Sequence, residues 1–196
     1  MSSDLSTAPP ISGPEIERRA RIVEGAMAAF IRFGYRRAAM ADIAAACGLS
    51  RPSLYLVFPN KAAVFRALAE TLLADAAAAA EAAWPEAAPV PDGLAAAILA
   101  KDLPIHRLLV STPHAAEILA ETESLTEDLH NASAARFRSL TATRLRAAGD
   151  PAPDDSARLI ANAADGLKHA GLDEATYVAD VTRLARLVAA GLAAAR

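Results

Sequence analysis

An all-α fold is what three features of this chain predict. Strand signals are nearly absent, since β-branched residues are sparse and no apolar–polar alternation runs beyond a few residues. Ala, Leu, Arg and Glu, all strong helix formers, recur from end to end. Apolar residues also return at three- and four-residue spacing in segment after segment. They make up 54% of 196 residues, enough for a real core. No apolar run reaches the roughly eighteen residues that a membrane span requires, so no membrane partner is expected.

The elements follow in order. Residues 1–13 mix Ser, Pro and Asp without a basic start or an apolar centre, and read as a disordered arm, not a signal peptide. A first helix is expected over 15–33, with Ile22, Ala26, Phe30 and Phe33 on one face and Gly34 as its stop. A short helix from Met40 to about Cys47 ends at Gly48, whose missing Cβ permits a left-handed backbone. Ser50 stands where a helix N-cap belongs, and Pro52 falls in the following first turn, where its missing N–H is harmless. Helix, glycine turn and helix make a helix-turn-helix, the unit that places its second helix in the DNA major groove. Phe58-Pro59-Asn60 ends that second helix, because proline disfavours helix at the residue before it.

A long helix is expected over 61–83, stopped by Trp84-Pro85. Its alanine-rich stretch, 74–83, reads as a thin connecting helix that packs closely on its neighbours. Residues 85–93, with three prolines, read as a loop. Short helices over 94–100 and 104–110 come next, then a long segment opened by Pro113 and running to about 148. Asp154 or Asp155 is expected to cap a helix ending near Gly171, and a last helix spans 173–195. Nine or ten helices result. The domain reading is an arm over 1–13, a helix-turn-helix domain over 14–60 and a larger helical domain over 61–196.

Charge divides along the same line. Residues 14–66 hold nine Lys or Arg against four Asp or Glu, although the whole chain carries −3. A basic first third with an acidic remainder suits phosphate binding at one end only. The single cysteine, Cys47, excludes an internal disulfide, reads as a buried thiol, and makes a cytoplasmic location the default.

Phe33-Gly34-Tyr35, Asp42-Ile43-Ala44, Gly48-Leu49-Ser50, Leu54-Tyr55 and Phe58-Pro59-Asn60-Lys61 stand together in register. Through them, residues 15–66 resemble the N-terminal domain of the tetracycline-repressor (TetR) family. The resemblance implies a recognition helix over 50–55, in which Arg51 offers its guanidinium fork to guanine or phosphate. It implies backbone contacts from Tyr55 and Lys61, a phosphate or base-edge contact from Ser53, and further phosphate contacts from Arg36 and Arg37. Ser50 and Pro52 complete the set as the start of the reading helix. Many relatives have Thr or Ser before the second helix, whereas Ala38 and Ala39 stand here. Where relatives often carry His after the Leu-Tyr pair, this chain has Leu56 and Val57; Leu56 either meets a thymine methyl or belongs to the core. Phe30, Phe33, Ile43, Leu54 and Phe58 are the expected small core that fixes the angle of the two helices.

The remainder resembles the family only in layout: a variable helical domain that binds a small molecule and forms the dimer. Tyr177, Val181, Leu184 and Val188 form one apolar stripe, and Ile160, Ala164 and Leu167 another. Two such pairs would make a four-helix bundle between subunits. The alternative is that both stripes pack inside one monomer. Leu103, His106, Leu109, His114, Ile118, Glu121 and Phe137 are the candidate lining of an effector pocket, apolar with a few polar groups. His114 and Glu117 would share a helix face, but nothing completes a coordination shell, so no metal is expected. A nucleophile–base motif, a Walker-type loop, Gly-x-Ser-x-Gly and His-Glu-x-x-His are all missing, which argues against an enzyme, and no cofactor is implied. The expectation is a dimeric repressor released from a palindromic operator in double-stranded DNA by an unidentified small molecule. A transcriptional activator, or a DNA-binding protein without a ligand, is the alternative.

Overall fold

The computed structural model describes residues 13–194, apart from the side chains at 109, 110, 116, 119 and 123. The expected arm over 1–13 lies outside the described residues except for Gly13, which already belongs to a helix. Eight helices and no strand occur among the described residues: α1 Gly13–Phe33, α2 Met40–Ala46, α3 Arg51–Tyr55, α4 Lys61–Ala83, α5 Val90–Ser111, α6 Ala115–Ala147, α7 Pro153–His169 and α8 Glu174–Ala194. Thr126, at φ −140° and ψ 25°, interrupts α6, so nine helical segments result if its halves are counted separately.

The chain divides into two compact units, with the boundary after Leu68. The division falls inside α4, not ahead of it at residue 61. Its physical cause is aromatic: Phe65 on α4 packs edge-on against Phe30 of α1 and against Tyr35, at 5.4 and 5.0 Å between centroids. The opening turns of α4 are thereby core residues of the first unit.

In that unit Ile22, Ala26 and Phe30 are buried from α1, Ile43 from α2, Leu54 from α3, and Phe58 and Val64 beyond it. Phe33, expected in this core, is only half-buried, with the Arg32 guanidinium 5.1 Å from its ring centroid. Cys47 is likewise half-buried; its Sγ donates to the Ile22 carbonyl at 3.6 Å, and burial pushes its thiol pKa up. Gly25 makes this approach of α1 and α2 possible, because a Cβ there would lie 2.5 Å from Cys47 Sγ and 3.0 Å from the Cys47 nitrogen.

In the second unit α5 is one continuous helix with Pro104 inside it, not two short ones. Pro104 is exposed, whereas Leu94, Ala97, Ile98, Asp102 and His106 on α5 are buried. Packing of that long face outweighs the one backbone bond that a proline removes. Pro91 does not extend the loop but occupies the first turn of α5. Gly93 is required here, since any side chain would overlap the indole of fully buried Trp84. Asp154 and Asp155 do not cap α7: Ala152 holds the cap position, and the two carboxylates stand in the first turn, favourable to the helix dipole.

Candidate nucleic-acid interface and ligand domain

The reading head is built by three local devices. Gly48, at φ +66°, turns the chain out of α2. Ser50 then caps α3, its hydroxyl accepting the Ser53 N–H at 3.2 Å while donating to Ser53 Oγ at 2.8 Å. Ser50 is thus committed to the helix, and the Ser53 hydroxyl keeps its own proton to donate. At the start of α2 the missing hydroxyl of Ala39 is half replaced: Asp42 Oδ2 accepts the Ala39 N–H at 2.8 Å.

On α3, Arg51, Pro52 and Tyr55 are exposed, as is Leu56 at its C-cap, and Ser53 is half-buried. Leu56 is 81% exposed, which removes it from the core and leaves the thymine-methyl reading. Leu54 at 0% and Phe58 at 2% anchor the opposite face, and Arg19 stacks 4.7 Å from the Phe58 ring centroid. Arg36 and Arg37 are exposed on the turn between α1 and α2, and Arg37 Nε donates to the Phe33 carbonyl at 3.2 Å. Lys61 donates to the carbonyls of Tyr35 and Arg36 at 2.6 and 3.1 Å and lies 4.5 Å from the Tyr35 ring centroid. An ammonium has three donors, so one remains beyond these two carbonyls. The cation-bearing turn and the start of α4 are therefore tied together.

The dimer stripes call for correction. Ile160, Ala164, Tyr177 and Val181 are 4%, 1%, 0% and 0% exposed within a single chain, so they have almost no surface left for a partner. Leu167, Leu184 and Val188 are half-buried against the same core. The faces of α7 and α8 that reach solvent carry Leu159 and Leu187, 60% and 62% exposed, beside small residues such as Ala163, Gly166, Ala190 and Gly191.

Of the expected effector lining, His106 and Phe137 are buried, and Leu103 packs against the core that holds Phe137. His114 at the N-cap of α6, and Ile118 and Glu121 in its opening turns, are half-buried ahead of the Thr126 break, while Phe137 lies beyond it. The side chain of Leu109 lies outside the described residues. An open groove of about 450 Å³ runs between α6 and α7, but Arg138, Arg146, Asp154, Asp155 and Arg158 line it, not the expected residues. Its ion pairs, Arg146–Asp154 and Arg158–Asp155, are both 3.1 Å and exposed.

One polar cluster escaped the sequence reading. Asp102, four residues before His106 on α5, is 3% exposed. Lys101 Nζ lies 2.6 Å and Lys168 Nζ 3.8 Å from its Oδ1. The ring of His106 stacks on Tyr177 of α8 at 4.7 Å with planes 11° apart. Burial, then the Asp102 charge, holds the Tyr177 phenol well above its usual range. Asp102 Oδ2, His106 Nε2 and Tyr177 Oη are buried without a hydrogen-bond partner. An unsatisfied buried group costs about 1–3 kcal/mol, more when charged. The signal was the four-residue spacing of Asp102 and His106, hidden by reading Pro104 as a break.

A cation-faced helix-turn-helix on a small aromatic core, followed by a helical domain, is thus the fold of the described residues. Residues 22–68 match the family described as bacterial regulatory proteins, tetR family. The chain is 43% identical over 56 residues to the HTH-type transcriptional regulator TtgR of Pseudomonas putida, and equally to the probable HTH-type transcriptional regulator ArpR of the same species. That match covers 29% of this chain and 27% of each relative. The fold extends further. A tetR-family transcriptional regulator from Streptomyces coelicolor superposes with a TM-score of 0.65 at 18% identity, over 92% of this chain and 82% of that one. SmeT, the repressor of the Stenotrophomonas maltophilia multidrug efflux pump SmeDEF, gives 0.61 at 22% identity, over 90% and 89%. Among the described residues no helix is long and apolar enough to cross a membrane.

Proposed function

We propose that this protein is a DNA-binding transcriptional regulator, a two-fold dimer that represses from a palindromic operator and is released by a small molecule bound in the helical domain. The observation that carries the reading is α3: five residues long, capped by Ser50, anchored by Leu54 and Phe58, and presenting Arg51, Tyr55 and Leu56 outward. Arg51 and Leu56 read base edges, and Tyr55, Ser53, Lys61, Arg36 and Arg37 hold phosphates. The exposed leucine-bearing faces of α7 and α8 support a subunit interface there, and a two-fold pair of reading heads matches a palindrome. The effector acts by preferring the state in which the heads no longer fit one operator.

The experiment is selection of duplexes from a random pool, followed by gel retardation over a salt series. Enrichment of a palindrome, steep loss of affinity with salt, and loss of specific retardation in Arg51→Ala are expected. A pool without any enriched sequence overturns the reading.

A further inference from the structure

From the buried cluster of Asp102, His106 and Tyr177 we infer that the helical domain takes an uncharged, largely apolar ligand bearing a hydroxyl group. The inference deepens the effector part of the function proposed above and rests on it.

Three polar atoms, from two helices, are shielded from solvent and have no partner in the protein: Asp102 Oδ2, His106 Nε2 and Tyr177 Oη. Asp102 and His106 share a face of α5 at four-residue spacing, and Tyr177 from the first turns of α8 stacks on the His106 ring. The surroundings are apolar, with Ile98, Phe137, Ile160 and Val181 in the same core. Three unsatisfied atoms in such a setting form a recognition pattern that the protein's own groups leave incomplete.

The chemistry of the three atoms narrows the class. Asp102 Oδ2 accepts only, so its partner is a donor. Tyr177 keeps its proton and donates, so its partner is an acceptor. A hydroxyl group is both at once: its O–H faces Asp102 while its oxygen accepts from Tyr177, and His106 Nε2 supplies the third direction. Charge decides the rest. Lys101 and Lys168 both stand against Asp102, and Lys168 also reaches Asp165 at 3.0 Å, so the Asp102 charge is already compensated. A cation would compete with two lysines for Asp102, and an anion would meet the buried Asp102 carboxylate. Neutral ligands meet neither penalty.

The test uses four probes of one shape on the full chain: cyclohexanol, cyclohexanone, cyclohexylamine and cyclohexanecarboxylate. Thermal melting is followed together with the His106 ring resonances of the histidine-labelled protein. Cyclohexanol is expected to raise the melting temperature and shift the His106 signals saturably, at least tenfold more tightly than cyclohexanone. The charged probes are expected to do neither. Tyr177→Phe and Asp102→Asn are each expected to bring cyclohexanol down to the level of the ketone. If either variant fails to fold, the ring-resonance titration of the wild type with all four probes still decides. Equal binding of alcohol and ketone, tighter binding of the amine or the carboxylate, or no shift with any probe overturns the inference. Operator retention is measured on the same protein without probe. Retention with no alcohol response overturns this inference alone, whereas alcohol response without retention overturns the regulator reading alone.

Discussion

Lys61 Nζ lies 2.6 Å from the carbonyl oxygen of Tyr35 and 4.5 Å from the centroid of the same residue's ring. One side chain thus fastens the start of α4 to the turn that carries Arg36 and Arg37. Lys61→Met keeps the stem and removes the ammonium. It is expected to destabilise the N-terminal unit by about 1–3 kcal/mol, the worth of hydrogen bonds to a charged group. Urea unfolding checks this. The salt slope of DNA binding should also flatten by about one phosphate equivalent.

Arg51 and Leu56 are exposed and add little to folding. Arg51→Ala and Leu56→Ala are therefore expected to melt within a degree or two of the wild type. DNA affinity should fall roughly tenfold or more for Arg51→Ala, as for loss of a bidentate guanine contact. For Leu56→Ala the loss should concentrate at thymine positions and vanish when deoxyuridine replaces thymidine there. Fluorescence anisotropy with substituted duplexes measures both.

Core changes should do the reverse, removing the fold and the DNA binding together. Phe58→Ala empties a site 2% exposed and is expected to cost about 3–5 kcal/mol. Gly25→Ala forces a methyl group against Cys47 Sγ and the α2 backbone, and about 1–3 kcal/mol of overpacking is expected. Chemical denaturation with native-state DNA titration separates these variants from Arg51→Ala.

Leu159 and Leu187 place apolar side chains in solvent on α7 and α8. Leu187→Glu is expected to convert a dimer to a monomer in analytical ultracentrifugation at micromolar concentration, with helical content unchanged. Tyr177→Ala, by contrast, is expected to unfold the second unit, because its ring is buried within one chain. A dimer that survives both Leu187→Glu and Leu159→Glu would place the interface elsewhere.

Asp173 stands just before α8 and accepts the Thr176 N–H at 2.8 Å. The backbone and side chain of Thr176 hold its carboxyl below the usual value near 3.8. A depressed folded pKa gives stability that is complete above the unfolded value and is lost as pH falls through the folded one. Asp173→Ala should thus lower the melting temperature at pH 7. The difference from wild type should shrink in acid, below about pH 4, and circular dichroism melts across that range test the sign.

The reading head was legible because its rules are local. Gly48, Ser50 and Pro52 act within a few residues of their own positions, so spacing alone located α2 and α3. The C-terminal limits of α1 and α4 followed equally from Gly34 and from Trp84-Pro85. Local reasoning failed at Pro104, where tertiary burial of one long face carries α5 through a residue that would break an isolated helix.

What the sequence determined by itself was the all-α class, the helix-turn-helix and the outward cations, since each depends on neighbours three or four residues away. Only the tertiary structure decided which way the stripes of α7 and α8 face. A period marks an apolar face but not the surface that covers it, and Ile160 and Tyr177 turned out to be covered by their own chain. The Asp102–His106–Tyr177 cluster belongs to the same class of fact. Its members come from α5 and α8, far apart along the chain, and burial of their polar atoms is a property of packing that no window of sequence contains.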